Sequence, residues 1–242
     1  MNNERLEILI GKKNLDLLRT KSVAVFGIGG VGSYSAEALA RTGIGKILLC
    51  DFDVVSPSNL NRQIIALTTT IGERKTEVMK KRILEINPEC EVVTYPVFLN
   101  KETIAEILKE KPDAAIDAID VMTSKAELIR QLEEAGIPFI SSLGMGGRMD
   151  PTKIKITVLK KTTYDRLAKA LRKILRDAGL SLEVPVVFSE EETHGKTGKD
   201  EEGETRKEKN PIGSSVFVPA AAGLAAASYI VRKLIGEEGI VE

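Results

Sequence analysis

Through residue 141, short unbroken apolar runs alternate with segments whose apolar positions recur every three or four residues. Runs such as VAVF at 23–26 and KILLC at 46–50 have no polar face, as in parallel strands buried on both sides. The pattern predicts strands at 23–26, 47–50, 91–97, 114–117 and 138–141, with helices at 33–42, 75–86, 102–110 and 125–135. This order reads as an α/β chain with a doubly wound, mostly parallel sheet covered on both faces, whose ligands sit beyond the strand C-termini. Past Asp150-Pro151 the pattern changes to a strand at 154–159, a helix at 164–178 and a strand at 185–188. Residues 1–150 are therefore expected to form one doubly wound domain, and 151–242 a small C-terminal α+β extension of the same fold unit. Residues 189–210 carry 13 charges and almost nothing apolar, so burial cannot offset ordering entropy and a flexible loop is expected. Order returns at 216–218, leading into a small-residue helix to about 234.

Composition narrows the class. The 242 residues suffice for one sizeable α/β domain with an aliphatic core, 43% being hydrophobic and none Trp. Lys+Arg and Asp+Glu both number 35, so no global field marks nucleic acid or membrane, although a local basic patch is compatible with neutrality. Cys50 and Cys90 are the only cysteines and form no C-x-x-C pair, which excludes a disulfide framework and a structural zinc site and fits a reducing cytoplasm. The N-terminal stretch is charged throughout, without an apolar export core. The apolar run 216–231 is short of a bilayer span and reads as a helix packed in the core or a dimer, with peripheral membrane association left open.

Candidate chemistry starts at Gly27-Ile28-Gly29-Gly30-Val31-Gly32, which follows a strand and opens a helix. Glycines allow a tight turn and close backbone approach, and the helix N-terminus offers free N–H groups to phosphate. Asp51, 19 residues past Gly32, stands where an acid accepts ribose hydroxyls. Together these make the sheet Rossmann-like and call for a nucleotide, but leave NAD and ATP both open. The next segments, DFDVVSPSNLNRQ at 51–63 and TIGERK ending at Lys75, bring Arg62 and Lys75 to the same sheet edge, as charge developing on a triphosphate requires.

The sequence D-x-D-x-V-x-x-S-N-L-N-R-Q after G-x-G-G-x-G resembles the ubiquitin-activating-enzyme-like adenylation family, which includes the ThiF, MoeB and HesA types. The resemblance implies that Gly27, Gly29, Gly30 and Gly32, with Asp51 and Asp53, hold ATP. It puts Asn59, Arg62, Gln63 and Lys75 around the phosphates and Asp120 of DAIDVMTSK beside Mg²⁺, a hard cation that takes few protein carboxylates. Asp117 reads equally as a strand-end residue. It further implies that Arg5, six residues before Gly11, reaches the ATP of the neighbouring subunit of a homodimer as an arginine finger. Arg5, Arg62, Lys75 and Asp120 are then the catalytic set.

Members that hand a carrier protein to a thiol need a reactive cysteine, and both cysteines here read as packing residues. ALARTGIGK, NLNRQI, EINPEC, GMGGRMDPTKI and GSSVFVPAAAGL are similar to one subgroup, the dehydratases of threonylcarbamoyladenosine in tRNA. That likeness implies ATP-dependent adenylation of the threonyl carboxylate, giving AMP and pyrophosphate, with phosphoryl transfer left open by the residues themselves, followed by ring closure with loss of water. No thiol is needed, because the urea-like group lies within reach of the activated carboxylate. Two further readings keep the fold: adenylation of the C-terminal glycine of a ubiquitin-like sulfur-carrier protein, or a non-catalytic nucleotide binder that docks a cysteine desulfurase or its sulfur acceptor. For tRNA, the cations Arg166, Lys169, Arg172, Lys173 and Arg176 fall on one helical face opposite Leu167, Leu171, Ile174 and Leu175. Residues 144–148 follow the fifth strand and can shape the substrate side; His194, alone in the polar tract, is expected to be non-catalytic.

Overall fold

The computed structural model describes residues 3–193 and 212–237. Seven strands form one sheet in the order β3-β2-β1-β4-β5-β7-β6. They are β1 (Ser22–Phe26), β2 (Lys46–Cys50), β3 (Glu91–Tyr95), β4 (Ala114–Asp117), β5 (Phe139–Ser142), β6 (Ile154–Val158) and β7 (Pro185–Ser189). All neighbours are parallel except β6, which runs antiparallel to β7 at the edge. The α/β reading thus holds, and β7 joins the second half of the chain directly to β5.

Strand alternation divides the core. Val23, Val25, Ile47, Leu49 and Ile116 belong to one apolar layer, covered by α3 (Gly32–Arg41), α4 (Lys75–Ile86) and α8 (Phe217–Leu234). Ala24, Phe26, Leu48, Cys50 and Ala115 belong to the other, covered by α5 (Lys101–Leu108), α6 (Met122–Ala135) and α7 (Arg166–Asp177). Two helices precede the sheet: α1 (Glu4–Ile10), none of whose residues is buried, and α2 (Lys12–Arg19), anchored by Leu15 and Leu18.

Boundaries differ from the periodicity at the ends of elements. α6 begins at Met122 rather than 125, and β3 stops at Tyr95. α7 starts at Arg166 because Asp165 caps it, accepting from Ala168 N at 2.8 Å, while Tyr164 turns away with φ +52°. Among the described helices α8 alone is long and apolar enough to cross a membrane, yet half of it is buried inside the protein. It lies on α3 through Gly223, and Ser35 Oγ donates to Gly223 O at 3.0 Å. Of the tract expected to be flexible, residues 194–210 lie outside the described residues, and His194 with them.

Candidate nucleotide site

The registers Phe26↔Cys50 and Phe26↔Asp117 set three loops side by side at the strand C-termini: the glycine loop, the segment from Asp51, and 118–121. The glycines divide by function. Gly27 has φ +90°, and a Cβ there would lie 2.6 Å from Ala118 O; a Cβ on Gly32 would lie 1.8 Å from Gly27 O. Those two exist for packing of loop against helix and strand. Gly29 meets nothing nearer than Gln63 Nε2 at 3.9 Å, leaving its backbone open to a ligand, and Gly30 lies under the Arg62 stem and Pro219.

Asp51 is buried and accepts Ile28 N–H at 2.6 Å on one oxygen and Asp53 N–H at 2.8 Å on the other, fixing the glycine loop to the end of β2. Lys75, also buried, opens α4 and pairs with Asp53 Oδ2 at 2.7 Å, with Asp51 Oδ2 4.0 Å away. Its ammonium is thus held at the edge by two carboxylates. Arg62 donates to Ser58 O at 2.8 Å and Asn61 Oδ1 at 3.0 Å. Asn59 closes the preceding turn, accepting from Ser56 N at 3.1 Å. Gln63 is buried beside Gly29, and its Oε1 has no hydrogen-bond partner. A phosphate-bearing nucleotide fits the open glycine backbone and the two cations, while the unpartnered Gln63 Oε1, an acceptor, suits a hydroxyl or amino donor of the nucleotide rather than its phosphate.

Asp120 is exposed at the start of α6, and no group of three metal-ligating side chains exists among the described residues. A Mg²⁺ ion here would take Asp120 as its one protein carboxylate, with water and phosphate oxygens completing its shell. Arg5 lies on α1, whose main packing is on α2. The structure thus brings the glycine loop, Asp51, Asp53, Asn59, Arg62, Gln63 and Lys75 to one edge with Asp120 beside them, and leaves Arg5 apart.

Asp117 is more than a strand end. It is fully buried with Lys125, whose Nζ lies 2.7 Å from Asp117 Oδ2, 3.1 Å from Ser141 Oγ and 3.0 Å from Ser142 O. Its other oxygen accepts Ile119 N–H at 3.1 Å, so this pair supports the loop that presents Asp120. The 212–219 segment crosses the same edge: Asn61 Nδ2 donates to Ser214 O at 2.8 Å, Gly147 N to Gly213 O at 2.7 Å, and Ser215 Oγ to Arg148 O at 3.2 Å. Arg148 is buried, and gives Nε to Glu191 O at 2.9 Å and Nη2 to Tyr164 O at 3.2 Å. One sequence expectation is corrected: Arg172 is not a free cation of the basic face, since its guanidinium is engaged with Leu159 O and Thr162 O, both at 3.1 Å, tying α7 to the turn before it. Both thiols are packing groups, for burial pushes Cys50 well above its ordinary pKa and Cys90 up to about 11, away from nucleophilic thiolate.

The model of the ThiF family matches residues 3–241. The chain belongs to the ThiF family. Among relatives, it is 42% identical to the tRNA threonylcarbamoyladenosine dehydratase of Bacillus subtilis, over 96% of this chain and 93% of that protein. Among solved structures, it matches the Escherichia coli tRNA N6-threonylcarbamoyladenosine dehydratase in complex with AMP with a TM-score of 0.88 and 38% identity, over 97% and 94% of the two chains. The same enzyme in complex with ATP matches with a TM-score of 0.86 over 98% and 96%, again at 38% identity. In this ThiF-family chain the nucleotide-accepting geometry and the family assignment agree.

Proposed function

We propose that this chain dehydrates threonylcarbamoyladenosine in tRNA at the expense of ATP, converting the open adduct to a ring by activating the threonyl carboxylate. End-to-end likeness to dehydratases carries the reading, and the chemistry of the glycine edge supports it. Bound ATP would turn one threonyl carboxylate oxygen into part of a phosphate-bearing leaving group, and ring closure would expel that oxygen with it, for a net loss of one water. The backbone of Gly29 and Gly30 and the N-terminus of α3 hold the phosphates; Arg62 and Lys75 neutralise charge that develops there, and Gln63 donates from its amide. Asp53 and Asp51 orient the Lys75 ammonium, and Asp120 holds Mg²⁺. The nucleophile is already attached to the substrate, so holding the adduct in a closing geometry supplies much of the rate and no protein thiol takes part. Two neutral, buried cysteines suit that chemistry and not thioester formation from a carrier protein. A cytoplasmic homodimer, with Arg5 completing the neighbouring site, belongs to the same reading.

The test is mass spectrometry of nucleosides from threonylcarbamoylated tRNA incubated with the full chain, ATP and Mg²⁺. The modified nucleoside is expected to lose the mass of one water only when ATP is present. Asp120→Ala is expected to retain tRNA binding and lose turnover. An unchanged nucleoside with wild-type protein, or full turnover by Asp120→Ala, contradicts the proposal.

A further inference from the structure

Helix α7 carries its charge on one side. Arg166, Lys169, Lys173 and Arg176 are spaced by three, four and three residues, which aligns them along one stripe, while Ala168, Leu171 and Leu175 are buried on the other side. Among the described residues no ion pair or hydrogen bond engages these four side chains. Nearby cations are engaged: Lys160 with Glu183, Lys155 with Glu190, and Arg172 with backbone oxygens. The stripe rises ~15 Å along the helix, the reach of several successive backbone phosphates.

A second observation fixes where that stripe points. Asp165, which caps α7, also accepts Gly144 N–H at 3.1 Å and lies 3.5 Å from Arg148, so both side chains are buried in one joint. Gly144 lies two residues past the end of β5, whose neighbour β4 leads into Asp120. The N-terminal end of the stripe is thus bolted to the rim of the nucleotide edge, with exposed Tyr164 beside it. The exposed positions of α7 are Arg166, Lys169, Ala170, Lys173, Arg176 and Asp177, without a large apolar side chain to enter acyl chains.

We infer that the outer face of α7 is the phosphate-contacting surface for tRNA, gripping the backbone next to the modified adenosine while that nucleoside enters at the strand edge. The inference rests on the proposed dehydratase reading and adds the surface that receives the substrate. Contacts of this kind position without reading bases.

The full chain is tested with Arg166, Lys169, Lys173 and Arg176 all changed to Gln, against threonylcarbamoylated tRNA. The expected result is a KM for tRNA raised on the order of ten- to a hundredfold, kcat at saturating tRNA within about twofold, and an unchanged ATP affinity. The plot of log Kd against log salt should flatten by about 0.7–0.9 per contact removed. Lys169→Gln/Lys173→Gln is compared with the control pair Lys101→Gln/Lys111→Gln, which makes the same change in net charge elsewhere; only the first should weaken binding. Should the quadruple variant not fold, this pair of doubles decides. Equal loss in both doubles, an unchanged salt slope, or a loss confined to binding of phosphatidylglycerol vesicles overturns the inference. Wild-type chain that binds tRNA through these residues but leaves the nucleoside unchanged refutes the dehydratase reading and leaves the surface standing.

Discussion

Gly29 and Gly32 stand three residues apart in one loop under opposite constraints. A methyl group on Gly32 would occupy the place of Gly27 O, so the loop or α3 must shift; on Gly29 it would enter free space on the ligand side. Gly32→Ala is therefore expected to cost about 3 kcal/mol, as overpacking does, lowering the thermal midpoint by ~6–12 °C for a chain of this size. Gly29→Ala should melt like wild type yet bind ATP at least about tenfold more weakly, a loss of ~1.4 kcal/mol. Calorimetric melting and ATP titration separate the two, and equal behaviour of both variants would refute the division of roles. Spacing in the sequence marks all four glycines as one phosphate turn, but which of them packs and which binds depends on Ala118 and Gln63, far along the chain. Asp117 shows the same limit. As a strand-end acid it is ambiguous, because nothing about a lysine on an amphipathic helix announces that Lys125 is wholly buried against it.

Elements were legible where burial repeats. Continuous apolar strands and three-to-four spacing gave β1 to β5 and the helices between them, since each must cover one face of the sheet. Errors gathered at the ends, where single side chains decide: Asp165 starts α7 two residues late, and Tyr95 ends β3 early. Composition left α8 undecided between core, dimer and membrane because small residues suit all three. Its seat on α3 now makes a claim about stability. A Cβ on Gly223 would lie 2.4 Å from Val31 O and 2.9 Å from Tyr34 Cβ, so Gly223→Ala must part the helices. The expected cost is about 2 kcal/mol in denaturant unfolding, together with weaker ATP binding, since Val31 ends the glycine loop. Leu224→Ala on the exposed side should change stability by less than ~0.5 kcal/mol. The reverse ranking would place the outer face of α8 in a buried interface.

At the scale of the whole molecule, the site is assembled by pairings that no local pattern encodes. Sheet order carries Asp120 to the glycine loop, and residues 212–219 return from the far end of the chain to bridge Asn61 and Gly147. GSSVFVPAAAGL could be recognised in the sequence, but not placed, since its partners lie up to 188 residues away. Arg5 follows the same logic one level higher. Within one chain α1 buries none of its residues and leaves Ile8 and Leu9 exposed, as expected of a helix that finishes its packing on a second copy. If Arg5 serves the neighbouring ATP, two dead variants must repair each other. Arg5→Ala and Asp120→Ala should each be inactive alone. Unfolded together and refolded as a mixture, they should recover about a quarter of wild-type turnover, because half of the random dimers are mixed and each mixed dimer holds one site with both groups intact. A finger acting within its own chain gives a different result, since every mixed dimer would then contain one site lacking Arg5 and one lacking Asp120. Turnover of the refolded mixture that stays at the level of the separate variants, while sedimentation shows dimers, would place Arg5 in cis.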